Sequence, residues 1–308
     1  MHNTEDLQSE LMETLELWCT VIALKSDSPL TAKTYRKVVE PCLCYLHGQG
    51  ITRLEQVEPK HLLAYLMERK DRVRPQTVLK DYRHLHAYFA WCVKQGLLER
   101  SPMEQVPRPH APVEPKPALN REALQRLLHA TEGKHWTRLR DRAVLLVLLD
   151  TGARLSEAYS LKVADLQGDS CLVKGKGSKW RTLYFTPETR IACHKYLKAL
   201  PFRVRPESPA WWGMRGKPLT LHGFIDMLRA IGRRSGVKFS AHAIRRTFAL
   251  ECLRAGCDLE RLRRLTGHCN LEVLRQHYLP LSQEDVRAAH QRYSPVNGLI
   301  NRSKGGLG

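Results

Sequence analysis

The chain has 308 residues, is 43% hydrophobic and carries a formal net charge of +19, with 50 Lys+Arg against 31 Asp+Glu. That length and apolar content can bury a sizeable core and predict two domains, while the basic surplus points to a polyanionic partner. No apolar run approaches the roughly 18 residues needed to span a bilayer, and no secretory leader is visible, so a membrane protein is not expected.

The charge is unevenly spread. Residues 1–106 hold 14 bases and 14 acids, whereas residues 107–308 hold 36 bases and 17 acids. The nine cysteines include no CxxC pair. Irregular spacing and an odd count predict reduced thiols in a cytoplasmic setting, with neither a disulfide framework nor a zinc site.

In chain order, residues 5–24 and 31–48 read as helices, the second opened by Pro29-Leu-Thr31. A third follows Pro59 to about Lys70. A fourth runs from Pro75 to about Gln95, with Val78, Tyr82, Leu85, Tyr88, Phe89 and Cys92 as its apolar stripe. The bases Arg69, Lys70, Arg72, Arg74, Lys80 and Arg83 cluster around the turn between these two helices, where phosphate contact is the expectation. Pro102 to Pro117 contains six of the 17 prolines. Proline density favours extended geometry, so this stretch reads as the interdomain linker.

A second domain opens with a helix start at Asn120. Arg138 to Asp150 is strongly apolar and ends at Thr151-Gly152, and Ser156 is placed to cap a helix running to Leu161. Residues 171–186 alternate as a β-hairpin with a Gly/Lys-rich turn that includes Lys176 and Lys179. Helices are predicted over 188–200, 219–235 and 240–255. The Thr247 to Leu265 stretch breaks once, at Ala255-Gly256, and Gly267 ends its second part. Ser282 to about Arg292 reads as a short final helix. Glu157 is positioned to brace Arg154 or a helix end, and Asp165 to cap the turn into the sheet.

His242 and Arg245 are three apart, so on a helix they share a face. Leu265-Thr-Gly-His268 follows, and Tyr278 comes ten residues after His268. Two histidines, arginines and a tyrosine suit a phosphate better than a metal. Guanidiniums bind phosphate oxygens bidentately, imidazoles move protons, and a phenol can attack phosphorus. Lys176 does not satisfy P-loop spacing. Taken singly, Arg154 reads as a structural ion-pair residue, Lys176 as an exposed turn residue, His242 as a packed histidine and Tyr278 as an aromatic filler.

The ordered set Arg154, Lys176, His242-x-x-Arg245, Gly267-His268 and Tyr278 resembles the tyrosine recombinase (phage integrase) family, over almost the whole chain. Thr151-Gly-Ala-Arg154-Leu-Ser-Glu157 is similar to the family's first arginine box, and His242-Ala-Ile-Arg245-Arg-Thr-Phe-Ala to its second. The compact length is similar to Xer-type recombinases and simple integrases.

The resemblance implies a mainly α fold with a small antiparallel β-sheet in two domains. Residues 1–106 would be a helical core-binding, SAM-like domain and 107–117 the linker. Residues 118–293 would be the catalytic domain and 294–308 a flexible tail. It implies a site-specific recombinase acting on double-stranded DNA through a 3′-phosphotyrosyl intermediate, as a homotetramer or with a second recombinase. It would need no cofactor and no metal, and would be associated with the cytoplasmic nucleoid. Tyr278 would be the nucleophile and Arg154 and Arg245 the phosphate clamp. Lys176 would be the proton donor, His242 the base and His268 a phosphate donor, while Lys179 would join the DNA contacts. The 282–292 helix would pack into a neighbouring protomer.

One departure stands out. The family's tyrosine usually lies nine residues after the Gly-His histidine, and that slot is His277 here. One helical residue rotates a side chain by about 100°, so an extra loop residue is expected before Tyr278. Tyr293 and Tyr184 are the other tyrosines to weigh. The shift keeps open a DNA-binding regulator that does not cleave, and the shared chemistry keeps open a topoisomerase IB-like nicking-closing enzyme.

Overall fold

The computed structural model describes residues 10–26, 29–112, 118–175 and 180–267, together with positions 287, 290 and 291. The chain divides into two compact units, Met1–Glu114 and Pro115–Gly308.

The first unit is helical. Its elements are α1 (Glu10–Lys25), α2 (Pro29–Gly48), α3 (Pro59–Arg72) and α4 (Pro75–Lys94). Prolines at the first position of α3 and α4 suit helix starts, because that N–H would have no helical partner. Leu11, Leu15, Val39, Cys42, Leu43, Leu46, Leu62, Leu85, Tyr88 and Phe89 form its core. Trp18 of α1 sits edge-on to Tyr88 of α4, with ring centroids 5.1 Å apart. Among the described residues, charge enters this core once. The buried Asp81 accepts from Arg69 Nε at 3.0 Å and Nη2 at 2.9 Å.

The proline-rich stretch differs from its expected form at its beginning. Pro102–Gln105 is a 3₁₀ turn rather than extended linker, and Met103 and Val106 are buried in the first unit's core. Proline fits the first position of such a turn, and the two apolar side chains gain burial there. Further on, the Tyr82 hydroxyl donates to the Val106 carbonyl at 3.2 Å and Gln76 Nε2 to the Pro112 carbonyl at 2.8 Å.

The second unit comprises α5 (Arg121–His129), α6 (Trp136–Thr151), α7 (Leu155–Tyr159), β1 (Ser170–Lys174), β2 (Trp180–Tyr184), α8 (Pro187–Lys198), α9 (Leu221–Ser235), α10 (Ala241–Arg254) and α11 (Leu259–Thr266). Helix α6 is its spine and packs against α8, α9 and α10. Ala143, Val144, Leu145, Val147 and Leu148 are all fully buried along it. Asp141 on α6 accepts from Arg140 at 2.7 Å and from Arg234 of α9 at 2.6 Å, and Arg140 also donates to the Trp212 carbonyl at 2.7 Å. At the other end of α6, Asp150 accepts from the Thr186 N–H at 2.7 Å and so seats the start of α8.

Strands β1 and β2 pair antiparallel, with Val173 opposite Arg181 and Cys171 opposite Leu183. Those four side chains face inward, while Leu172, Trp180 and Tyr184 are exposed on the outer face. The mainly α architecture with one small antiparallel sheet is the fold class expected from the sequence. The final helix expected over 282–292 falls almost entirely outside the described residues.

Candidate active site

Arg154 occupies a tight corner. Gly152 ends α6 with φ 56°, a left-handed conformation that favours glycine. A side chain there would also collide with Phe248 of α10, since an added Cβ would lie 2.3 Å from its ring. After Ala153 the chain turns into α7 with Arg154 at the N-cap. Ser156 does not cap this helix, and the helix ends at Tyr159 rather than Leu161. Instead Glu157 reaches back. Its Oε2 accepts from the Arg154 main-chain N–H at 2.7 Å, satisfying a donor that the first helical turn leaves open.

The same carboxylate organises two guanidiniums. Oε1 accepts from Arg154 Nη1 at 2.7 Å, and Oε2 accepts from Arg181 Nη2 at 2.7 Å. Glu157 is 1% exposed. Burial pushes its pKa upward, but the hydrogen bond and charge of Arg181, together with Arg154, outweigh that and hold the carboxyl below the ordinary glutamate range.

Three arginines then converge on one helix end. Arg181 Nη1 donates to the Leu265 carbonyl, Arg245 Nη2 to the Thr266 carbonyl at 2.5 Å, and Arg154 Nη2 to the Gly267 carbonyl at 2.8 Å. Carbonyls at a helix C-terminus lack helical partners and carry the negative end of the dipole, so cations settle there. Gly267 caps α11 with φ 66°, and an added Cβ would lie 2.6 Å from Arg181 Cδ. Arg245 also donates through Nη1 to the Gly152 carbonyl at 2.7 Å. The two arginines named from the sequence therefore meet at one turn, Thr266-Gly267, and Arg245 also binds the Gly152 carbonyl two residues before Arg154. Arg245 is 2% exposed, whereas the Arg154 side chain is 28% exposed.

His242 lies in the first turn of α10, three residues before Arg245, and is exposed. The helix is capped by Ser240, whose hydroxyl accepts from the Ala243 N–H at 3.2 Å. Thr247, one turn further on, accepts from the Leu119 N–H at 2.8 Å and fixes where the chain enters this unit. Lys176, Lys179, His268 and Tyr278 lie outside the described residues, as do His277 and Tyr293.

Arg181 was not singled out from the sequence. By residue type alone it is one more base in a basic hairpin. Its signal was the strand alternation, which puts Arg181 on the face of Leu183 and so indoors. In the first unit, Arg69 is committed to Asp81 and Arg72 pairs with Glu68 at 2.8 Å. Lys70, Arg74, Lys80 and Arg83 are exposed around the α3–α4 turn.

Residues 117–285 match the model of the phage integrase family. The chain belongs to that family of tyrosine recombinases. It is 30% identical to tyrosine recombinase XerC of Nitrobacter winogradskyi over 308 aligned residues, covering 92% of this chain and 95% of that one. It is 28% identical to XerC of Bacillus subtilis over 281 residues, covering 88% and 92%. Two solved structures share the fold. The Tn1549 transposon integrase in complex with transposon right end DNA gives a TM-score of 0.70 at 18% identity, covering 91% of this chain and 98% of that one. The XerH site-specific recombinase bound to a palindromic difH substrate gives 0.69 at 20% identity, covering 90% and 83%. As a tyrosine recombinase this chain is a DNA strand-transferring enzyme of site-specific recombination. Among the described residues, no helix is long and apolar enough to cross a membrane.

Proposed function

We propose that this recombinase binds double-stranded DNA, cuts it through a 3′-phosphotyrosyl link to Tyr278, and exchanges strands as a tetramer holding two duplexes. The observation that carries the reading is the joining of Arg154 and Arg245 to the turn that immediately precedes His268. Two guanidiniums at one turn supply positive charge for the oxygens on which charge grows during phosphoryl transfer.

The Tyr278 oxygen forms a bond to phosphorus while the bond from phosphorus to the 5′-oxygen breaks. His242 takes the phenolic proton, and Lys176 gives a proton to the departing oxygen. His268 donates a hydrogen bond to the phosphate. The free 5′-hydroxyl of another strand reverses these events, so the energy of the broken bond is retained in the protein link. The exposed bases Lys70, Arg74, Lys80 and Arg83 of the first unit, with Lys179, grip backbone phosphates, which gives affinity without sequence information. The XerH and Tn1549 structures, both solved with DNA, support duplex DNA as the partner here.

Incubation with a nicked suicide duplex, followed by denaturing electrophoresis, tests the chemistry. A protein–DNA adduct is expected from the native chain and none from Tyr278→Phe. Native protein that binds duplex DNA without ever forming an adduct would leave a regulator. An adduct without exchange between two duplexes would leave a nicking-closing enzyme.

A further inference from the structure

We propose that Arg181 is a positioning residue that couples the β1–β2 hairpin, which carries Lys176, to the phosphate-binding Arg154 and to the turn before His268. The inference rests on the cleavage chemistry above and adds a residue to it. Four observations support it. Arg181 is 9% exposed. It donates to Glu157 Oε2 at 2.7 Å, and so shares with Arg154 the carboxylate that fixes that arginine. It donates to the Leu265 carbonyl, two residues before Gly267 and three before His268. Its aliphatic part lies against Gly267 so closely that a Cβ there would sit 2.6 Å from Arg181 Cδ.

The hairpin explains why this matters. Among the described residues its inward face is otherwise lined by Cys171, Val173 and Leu183, all buried. The last strand pair before the tip is Lys174 with Trp180, whose side chains point outward, and Val173 with Arg181 is the next pair in. Arg181 is therefore the polar inward anchor nearest the tip among the described residues. Apolar contacts hold the hairpin to the core without fixing its direction. A guanidinium bonded to a buried carboxylate and to a helix-end carbonyl fixes both, because its donors are planar and set in angle. Two arginines share one buried carboxylate here, so an anchor that served stability alone would be met more simply by an apolar residue. Removing Arg181 should release the hairpin that presents Lys176 while leaving DNA contacts of the first unit untouched.

The test uses the full chain and a nicked suicide duplex bearing a site captured covalently by the native protein from a random-sequence pool. Single-turnover cleavage is measured for native protein, Arg181→Lys and Arg181→Met on two versions of that duplex. One has the normal scissile phosphate, and the other has sulfur in place of its bridging 5′-oxygen. Sulfur leaves as a thiolate and needs no proton, so cleavage of the second version does not depend on the hairpin lysine. A positioned proton donor is worth about 100-fold or more in rate. Arg181→Met should be slowed about 100-fold on the normal duplex, and less than about 10-fold on the sulfur duplex by the same argument. Duplex affinity should be little changed, and Arg181→Lys should recover part of the rate. The ratio of the two rates is taken on one preparation, so partial unfolding cancels. If Arg181→Met fails to fold, Arg181→Lys supplies the ratio. Equal slowing on both duplexes, or no slowing, overturns the proposal. Failure of the native protein to form any adduct removes the cleavage reading itself, and this inference with it.

Discussion

Glu157 holds Arg154 from both sides, with Oε1 2.7 Å from the guanidinium Nη1 and Oε2 2.7 Å from the main-chain nitrogen of the same residue. The carboxylate is buried and also carries Arg181. Its replacement should expose how much of the site depends on one group.

Glu157→Gln keeps the shape and removes the charge. Breaking a buried ion pair on one side costs about 3–5 kcal/mol, so the second unit should lose stability on that scale in urea unfolding, and cleavage should fall with it. The pH dependence has a definite sign. The folded carboxyl titrates below the ordinary glutamate value of about 4.3. Its contribution is therefore complete above that pH and disappears as pH falls through the depressed value. Native protein should lose stability across that acid window, and Glu157→Gln should lose less there. Parallel pH profiles for the two proteins would contradict this.

Gly152→Ala addresses the other arginine. The residue would have to keep φ 56° and would place its Cβ 2.3 Å from Phe248. The left-handed conformation costs about 1–2 kcal/mol and overpacking about 1–3 kcal/mol. Thermal unfolding of the second unit should drop accordingly, and the Gly152 carbonyl that binds Arg245 should shift. Adding Phe248→Leu should return part of the stability. Additive losses in the double variant would argue against the collision.

In the first unit, the base tied to a buried acid can be tested apart from the exposed bases proposed to grip DNA. Arg69→Ala should destabilise this unit by about 3–5 kcal/mol, because it leaves Asp81 buried without its partner. Arg74→Ala with Lys80→Ala should leave stability alone and weaken duplex binding for all sequences. Each phosphate contact removed should lower the slope of log affinity against log salt by about 0.9. An unchanged slope would exclude these two residues from the contact.

Deleting residues 282–308 tests assembly. DNA-dependent tetramers should disappear in sedimentation while the monomer's unfolding transition stays in place. Tetramers that persist would separate assembly from this segment.

Helices of both units were legible from an apolar stripe, as in α4, or a continuous apolar run, as in α6, together with visible stops such as Gly152 and Gly267. The bracing role of Glu157 was legible too, since a residue at i+3 on a short helix must face back to its N-cap. Three features were not. Arg181 has the composition of a surface base, and only its strand register brings it indoors. Arg69 belongs to a basic cluster, and nothing local distinguishes it from its neighbours until Asp81, twelve residues away, folds against it. Pro102 to Val106 has linker composition, yet Met103 and Val106 find a core formed by distant helices. In each case the deciding partner is remote in sequence, which pattern and propensity do not encode.

The central claim is that a phenol in this chain attacks a DNA phosphate held by Arg154 and Arg245. Mass spectrometry of the nuclease-trimmed adduct from a suicide duplex reads that directly. The expected result is a single peptide carrying nucleotide through a phosphodiester on Tyr278. Nucleotide on Tyr293 or Tyr184, or on no tyrosine at all, would contradict the account.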